Sequence, residues 1–101
     1  MIRKLSFSES HALLSGGGAV LLDVREEEEY ITGHAVNAEL LPVDEISAET
    51  AAALIPSADT PVMVYCRTGA RSARAARLLE SLGYREIYDM GGLAGWPYGL
   101  E

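Results

Sequence analysis

Pro61-Val62-Met63-Val64-Tyr65-Cys66-Arg67-Thr68-Gly69-Ala70-Arg71-Ser72 is the stretch on which the fold turns. Pro61 to Tyr65 is a short, wholly apolar run, as expected of a strand buried on both faces. The pattern then changes abruptly. Beyond Ser72, the residues Ala75, Leu78, Leu79 and Leu82 recur at i, i+3, i+4 and i+7, one apolar stripe of a helix. Gly83 stands where a C-terminal cap glycine belongs. The segment therefore reads strand, loop, helix. The helix start is expected at about Ser72, which leaves five loop residues after Cys66.

Working outward, the same alternation repeats. Ala19-Val20-Leu21-Leu22 is a second buried-strand run, left at Asp23-Val24-Arg25. Ile2 to Leu5 and Glu86-Ile87-Tyr88-Asp89 are shorter strand candidates, and residues 37–43 hold another that ends near Pro42. Between these runs lie helix signals. Ser6 and Glu9 have capping-box spacing for a helix to about Ser15, closed by Gly16-Gly17-Gly18. Glu26 to Ile31 reads as a short helix with acids at its N-terminal end, closed by Gly33. Ser47 caps an alanine-rich helix to about Ile55, and Pro56 to Pro61 is a turn. Gly91-Gly92-Leu93-Ala94-Gly95-Trp96-Pro97 reads as a turn and a short helix stopped by proline. Buried strands alternating with helices predict an α/β domain with a mainly parallel sheet.

In an open parallel sheet, ligands collect outside the carboxyl ends of the strands. Cys66 stands at such an end. Gly69 allows a tight backbone curl, so that successive loop N–H groups converge on one point. The following helix adds partial positive charge, and Arg67 and Arg71 add full charges. Each of these favours a thiolate over a thiol. Asp23 and Arg25, at a neighbouring strand end, suit either a structural ion pair or a loop-orienting role. The acidic run Glu26 to Glu29 is most simply a solvated helix start, and Trp96 and Tyr98 suit core or rim.

Composition bounds the function. The 101 residues carry a net charge of −7, which argues against general nucleic-acid or anionic-membrane binding. Yet residues 66–77 hold Arg67, Arg71, Arg74 and Arg77 and no acid, so the remainder carries −11. With 49% hydrophobic residues, one compact core is expected, residues 1–101 forming a single domain. No apolar run approaches the ~18 residues of a membrane span. The N-terminus has no leader-like pattern, and a soluble, cytoplasmic protein is expected. One cysteine excludes a disulfide framework and multi-cysteine zinc sites. His11 and His34 have no metal-ligand spacing, so neither metal nor cofactor is expected.

Cys66 to Arg71 resembles the six-residue active-site loop, Cys-x-x-x-x-Arg, of the rhodanese family of sulfurtransferases. Leu22-Asp23-Val24-Arg25 through Glu29-Tyr30 and Gly33-His34 resembles that family's first signature, and Gly91 to Pro97 its closing segment. The resemblance covers roughly residues 2–98. One departure concerns the turn after Gly33-His34: the family often continues Ile-Pro-Gly-Ala, and here Ala35-Val36-Asn37-Ala38 follows. The resemblance implies a three-layer rhodanese-like fold, a five-stranded parallel sheet flanked by helices. It implies a Cys66 nucleophile that takes sulfur from a small anionic donor such as thiosulfate and holds it as a persulfide. The sulfur would pass to cyanide, a thiol or a partner protein's cysteine. Arg67 and Arg71 would bind the donor, and Thr68, Gly69 and Ala70 would supply amides. Two other classes compete. A cysteine phosphatase or arsenate reductase resembles Cys-x5-Arg, one residue longer than this loop. A non-catalytic interaction module often lacks the cysteine, which is kept here.

Overall fold

In a computed structural model describing residues 1–101, the central strand β4 spans Val62–Cys66 and is buried at every residue. Around it stand β1 (Ile2–Lys4), β2 (Val20–Asp23), β3 (Glu39–Leu40) and β5 (Ile87–Gly92). The spatial order is β1-β5-β4-β2-β3, and every pairing is parallel. The helices are α1 (Phe7–Ser15), α2 (Glu27–Thr32), α3 (Ala48–Leu54) and α4 (Ala70–Ser81), with a 3-10 turn at Val43–Glu45.

Strand side chains alternate between the two faces of the sheet. Leu22, Val62, Val64, Cys66 and Ile87 share one core with Ala51 of α3, its C-cap Ile55, and Ala75, Ala76 and Leu79 of α4. Leu21, Met63, Tyr65, Tyr88 and Met90 form the other, covered by Phe7, Leu13 and Leu14 of α1 and by Leu93 and Trp96. Three layers result. Full burial of Leu79 or Val64 is worth about 1.5–3 kcal/mol each. No helix is long and apolar enough to cross a membrane.

Several local expectations hold. The Glu9 amide donates to Ser6 Oγ at 3.1 Å and the Ser6 amide to Glu9 Oε1 at 2.9 Å, which closes the capping box of α1. At the end of α4, Gly83 takes φ +101°, and the amides of Gly83 and Tyr84 donate back to Glu80 and Leu79.

Other expectations are corrected. Helix α4 starts at Ala70, not Ser72. Gly69, at φ +104°, is its N-cap, and the Gly69 carbonyl accepts from the Ala73 amide and the Ser72 hydroxyl. The connection after Cys66 is thus three residues, Arg67 to Gly69, and Ala70 and Arg71 already belong to the first turn. The buried face of α4 is centred on Ala75, Ala76 and Leu79, while Leu82 lies at the exposed C-cap. Residues 91–97 form no helix: Gly91 and Gly92 extend β5, and the Trp96 amide closes a turn on the Leu93 carbonyl. The turn after His34 forms without proline or glycine. Asn37 takes φ +69°, a conformation that asparagine tolerates better than most residues, and the Ala38 amide donates to Ala35 O at 3.0 Å.

Candidate active site

Cys66 ends β4 on the face covered by α4, and its side chain is buried. The Gly69 amide donates to Cys66 Sγ at 2.9 Å. Burial pushes the thiol up, but the Ser72 amide and hydroxyl and the amides of Gly69 and Thr68 together outweigh it, and the thiol lies below its ordinary value. Partial charges from the backbone and one hydroxyl therefore do most of the work. The Ala70 amide is not among the leading donors. Sequence reading missed Ser72: with the helix starting at Ala70, it falls in the first turn and lies beside the sulfur.

The end of β5 fixes the loop from the side. The Leu93 amide donates to the Cys66 carbonyl at 2.9 Å. A Cβ on Gly92 would stand 2.5 Å from the Arg67 carbonyl oxygen, so only glycine lets the two backbones approach this closely. The β4–β5 pairing also slips by one residue between Val64 and Tyr65, which brings Cys66 opposite Gly92.

The arginines divide. Arg71 makes a bidentate pair with Glu29 of α2, at 2.6 and 2.9 Å. The Arg71 hydrogen bonds are the main reason the Glu29 carboxyl is held down at about 2. The acidic run is therefore not wholly a solvated helix start, since Glu29 clamps the loop helix. Arg67 is exposed and makes no ion pair. Arg74 pairs with Asp44 at the surface.

Behind the loop lies a buried polar network. Arg25 donates from Nε to Asp23 Oδ1 at 3.0 Å and from Nη2 to Asp23 Oδ2 at 2.6 Å. Nη2 also reaches the Gly33 carbonyl at 2.7 Å. The Tyr65 hydroxyl donates to Asp23 Oδ2 at 2.6 Å and accepts from the Ala35 amide at 3.1 Å. Burial, with the Asp23 hydrogen bond, pushes the Tyr65 phenol up. Tyr65 precedes Cys66, so the network anchors the strand end that carries the sulfur. His34 stacks on Tyr30 at 3.6 Å between ring centroids, its Nδ1 2.8 Å from the Tyr30 carbonyl. No three His, Cys, Asp or Glu side chains converge as a metal cage.

Two clefts open nearby. One, of about 330 Å³, runs beside the loop between Arg25, Arg67, Leu93, Trp96 and Leu100. The other, of about 180 Å³, lies between α1, whose His11 ring stacks on Tyr98, and the turn at Val36 and Asn37.

A parallel five-stranded sheet in the order β1-β5-β4-β2-β3, with a lone cysteine at the end of its central strand, is an α/β arrangement shared with known proteins. The profile of the rhodanese-like domain matches residues 6–97, and the chain belongs to that family. Its three-layer fold matches the rhodanese-like domain of an Anabaena protein with a TM-score of 0.86 at 23% identity, over 100% of this chain and 80% of that one. The human single-domain sulfurtransferase TSTD1 is 29% identical with a TM-score of 0.76, over 88% of each chain. A structure of rhodanese with anions from E. coli is 30% identical with a TM-score of 0.75, over 82% of this chain and 96% of that one. The uncharacterised protein YqhL of Bacillus subtilis is 37% identical over 79 residues, 77% of this chain. The match spans only 60% of YqhL's length.

Proposed function

We propose that the chain is a sulfurtransferase in which Cys66 carries a sulfane sulfur from thiosulfate, or a similar anionic donor, to cyanide or a thiol. The observation that carries this reading is the Gly69 amide donating at 2.9 Å to a buried sulfur at the end of the central strand, where nearby Ser72 and Thr68 groups also help to lower the thiol despite its burial. The thiolate attacks the outer sulfur of thiosulfate. A new S–S bond forms, the donor's S–S bond breaks, and its electron pair leaves with sulfite. The persulfide anion stays among fixed dipoles that need no reorganisation. An acceptor thiolate or cyanide then attacks the outer sulfur and Cys66 leaves as thiolate. With one cysteine in the chain, no internal thiol can intercept the persulfide.

Sulfurtransferase relatives support this reading, as does a loop one residue shorter than Cys-x5-Arg. Arg71 being held by Glu29 also leaves it less free to clamp a phosphoryl group. The test is intact mass after thiosulfate treatment. The chain should gain one sulfur atom and lose it on adding cyanide or a thiol, and Cys66→Ser should do neither. Sulfur gain by the serine variant, or none by the native chain, refutes the assignment.

A further inference from the structure

The smaller cleft is lined by neither Cys66 nor any residue of the loop that follows it. Its volume of about 180 Å³ is below the usual range for cofactors and drug-sized ligands, so it suits a ligand of few heavy atoms. Three of its walls are rings, those of His11, Trp96 and Tyr98. The His11 and Tyr98 rings stack at 3.8 Å between centroids, and Trp96 and Tyr98 meet edge to face at 5.0 Å. Leu14 and Ser15 bring the C-terminal end of α1 to the same cleft. No basic residue stands in the last turn of α1, and the carbonyls of Leu13 and Ser15 accept no hydrogen bond. That helix end therefore keeps uncompensated partial negative charge. Asn37 stands across from it, and its amide donates to Glu101 Oε1 at 3.0 Å, which sets a carboxylate beside the cleft. The other neighbour of that carboxylate is the His34 ring, at 3.6 Å. No lysine or arginine lines the cleft. Aromatic rings, free helix carbonyls and a carboxylate all attract cations, and the net charge of −7 draws cations toward the chain.

We propose that this cleft binds a small quaternary ammonium ion, of the size of choline. Leu14, Val36, Trp96 and Tyr98 make most of its lining apolar. A metal ion or a primary ammonium would lose more hydration there than the walls return, whereas a methyl-covered cation is weakly hydrated and packs on rings. The methyl groups rest on Trp96, Tyr98, Leu14 and Val36, and the charge lies toward the open end of α1. The ligand is a free ion rather than the head of a phospholipid. A lipid headgroup brings a phosphate, and no base lines the cleft to meet it. The proposal is independent of the role of Cys66.

The experiment titrates choline into the chain at about pH 8, where histidine is ordinarily neutral. Binding is read from the fluorescence of the single tryptophan, Trp96, and from the amide resonances of Ser15 and Asn37. Two further ligands are compared: dimethylbutanol, in which a carbon replaces the nitrogen of choline, and phosphocholine. Choline should bind saturably. Dimethylbutanol should bind roughly tenfold more weakly, because it loses the cation–π and helix-end attractions together, and phosphocholine should also bind more weakly than choline. Two substitutions act on the walls. Ser15→Lys sets a resident cation at the end of α1, a position that favours one. Tyr98→Leu keeps apolar bulk and removes the ring. Both residues are exposed, and urea unfolding checks that each variant is folded. Each should weaken choline several-fold, and Tyr98→Leu should leave dimethylbutanol almost unchanged. Four results overturn the proposal: no saturable response to choline, equal affinity for choline and dimethylbutanol, phosphocholine binding more tightly than choline, or undiminished choline binding by the folded Ser15→Lys chain.

Discussion

Cys66 is legible in the sequence because its setting is local: a buried strand stops, a glycine and basic residues follow, and a helix begins. Ser72 is not, for a physical reason. Serine is a favoured cap residue, so it marks the expected helix start, while the real cap, Gly69, has no side chain to announce it. Two residues of displacement turn Ser72 from a cap into a first-turn residue that lies beside the sulfur and helps to lower the thiol, while its hydroxyl donates to the Gly69 carbonyl. A consequence is measurable. Alkylation of Cys66 by iodoacetamide should have its pH midpoint below that of an ordinary cysteine, about 8.5, and Ser72→Ala should move the midpoint upward. Mass-resolved alkylation rates between neutral and alkaline pH decide this. Identical midpoints would reduce Ser72 to a bond with the Gly69 carbonyl.

At the scale of elements, α2 and α4 are tied by Glu29 and Arg71, 42 residues apart in sequence. Local pattern cannot reveal such a pair, and a run of four glutamates reads as surface. The tie gives a pH signature. The Glu29 carboxyl is held at about 2 against an ordinary 4.5. Its contribution is therefore complete above about 4.5 and is lost as the pH falls toward 2. Both partners are partly exposed, 27% and 33%, so water screening limits the effect to about 1 kcal/mol. Urea unfolding should show Glu29→Gln less stable by about that amount at pH 7, with the gap closing as the pH drops below 4. Parallel stability profiles for the two proteins would show that the pair adds nothing.

For the whole molecule, the three layers were readable because Ala19–Leu22 and Pro61–Tyr65 are too apolar for anything but a covered sheet. The strand order was not, since no local signal says that β1 joins β5 or that β3 shrinks to Glu39–Leu40. The charge map also changes on folding. Four arginines in residues 66–77 suggest one basic island, but Glu29 neutralises Arg71 and Asp44 neutralises Arg74. Arg67 is thus the free cation nearest the sulfur. Against a net charge of −7, Arg67→Ala should raise KM for thiosulfate several-fold at ~10 mM salt, and the difference should shrink near 0.15 M as the Debye length falls to ~8 Å. Arg71→Ala should instead lower kcat, because it leaves the Glu29 carboxylate unpaired beside the loop. Initial rates at two ionic strengths separate these outcomes, and equal kinetics for both variants at low salt would reduce the two arginines to surface charge.

The pairing of β1 with β5 sets a timetable for the nascent chain. The amino group of Met1 reaches the Arg85 carbonyl, 84 residues further on, and Ile2 lies beside Ile87. A ribosome adding ~5–20 residues per second needs roughly 4–17 s to make that span. Within this domain, the first strand made is therefore the last to find its edge. Until then Ile2 and Leu5 have no cover from β5, while β2, β3 and β4 can already assemble. During translation this domain is a three-stranded core trailing an unpaired amino-terminal strand, and that is the interval in which a chaperone or a neighbouring chain can capture it.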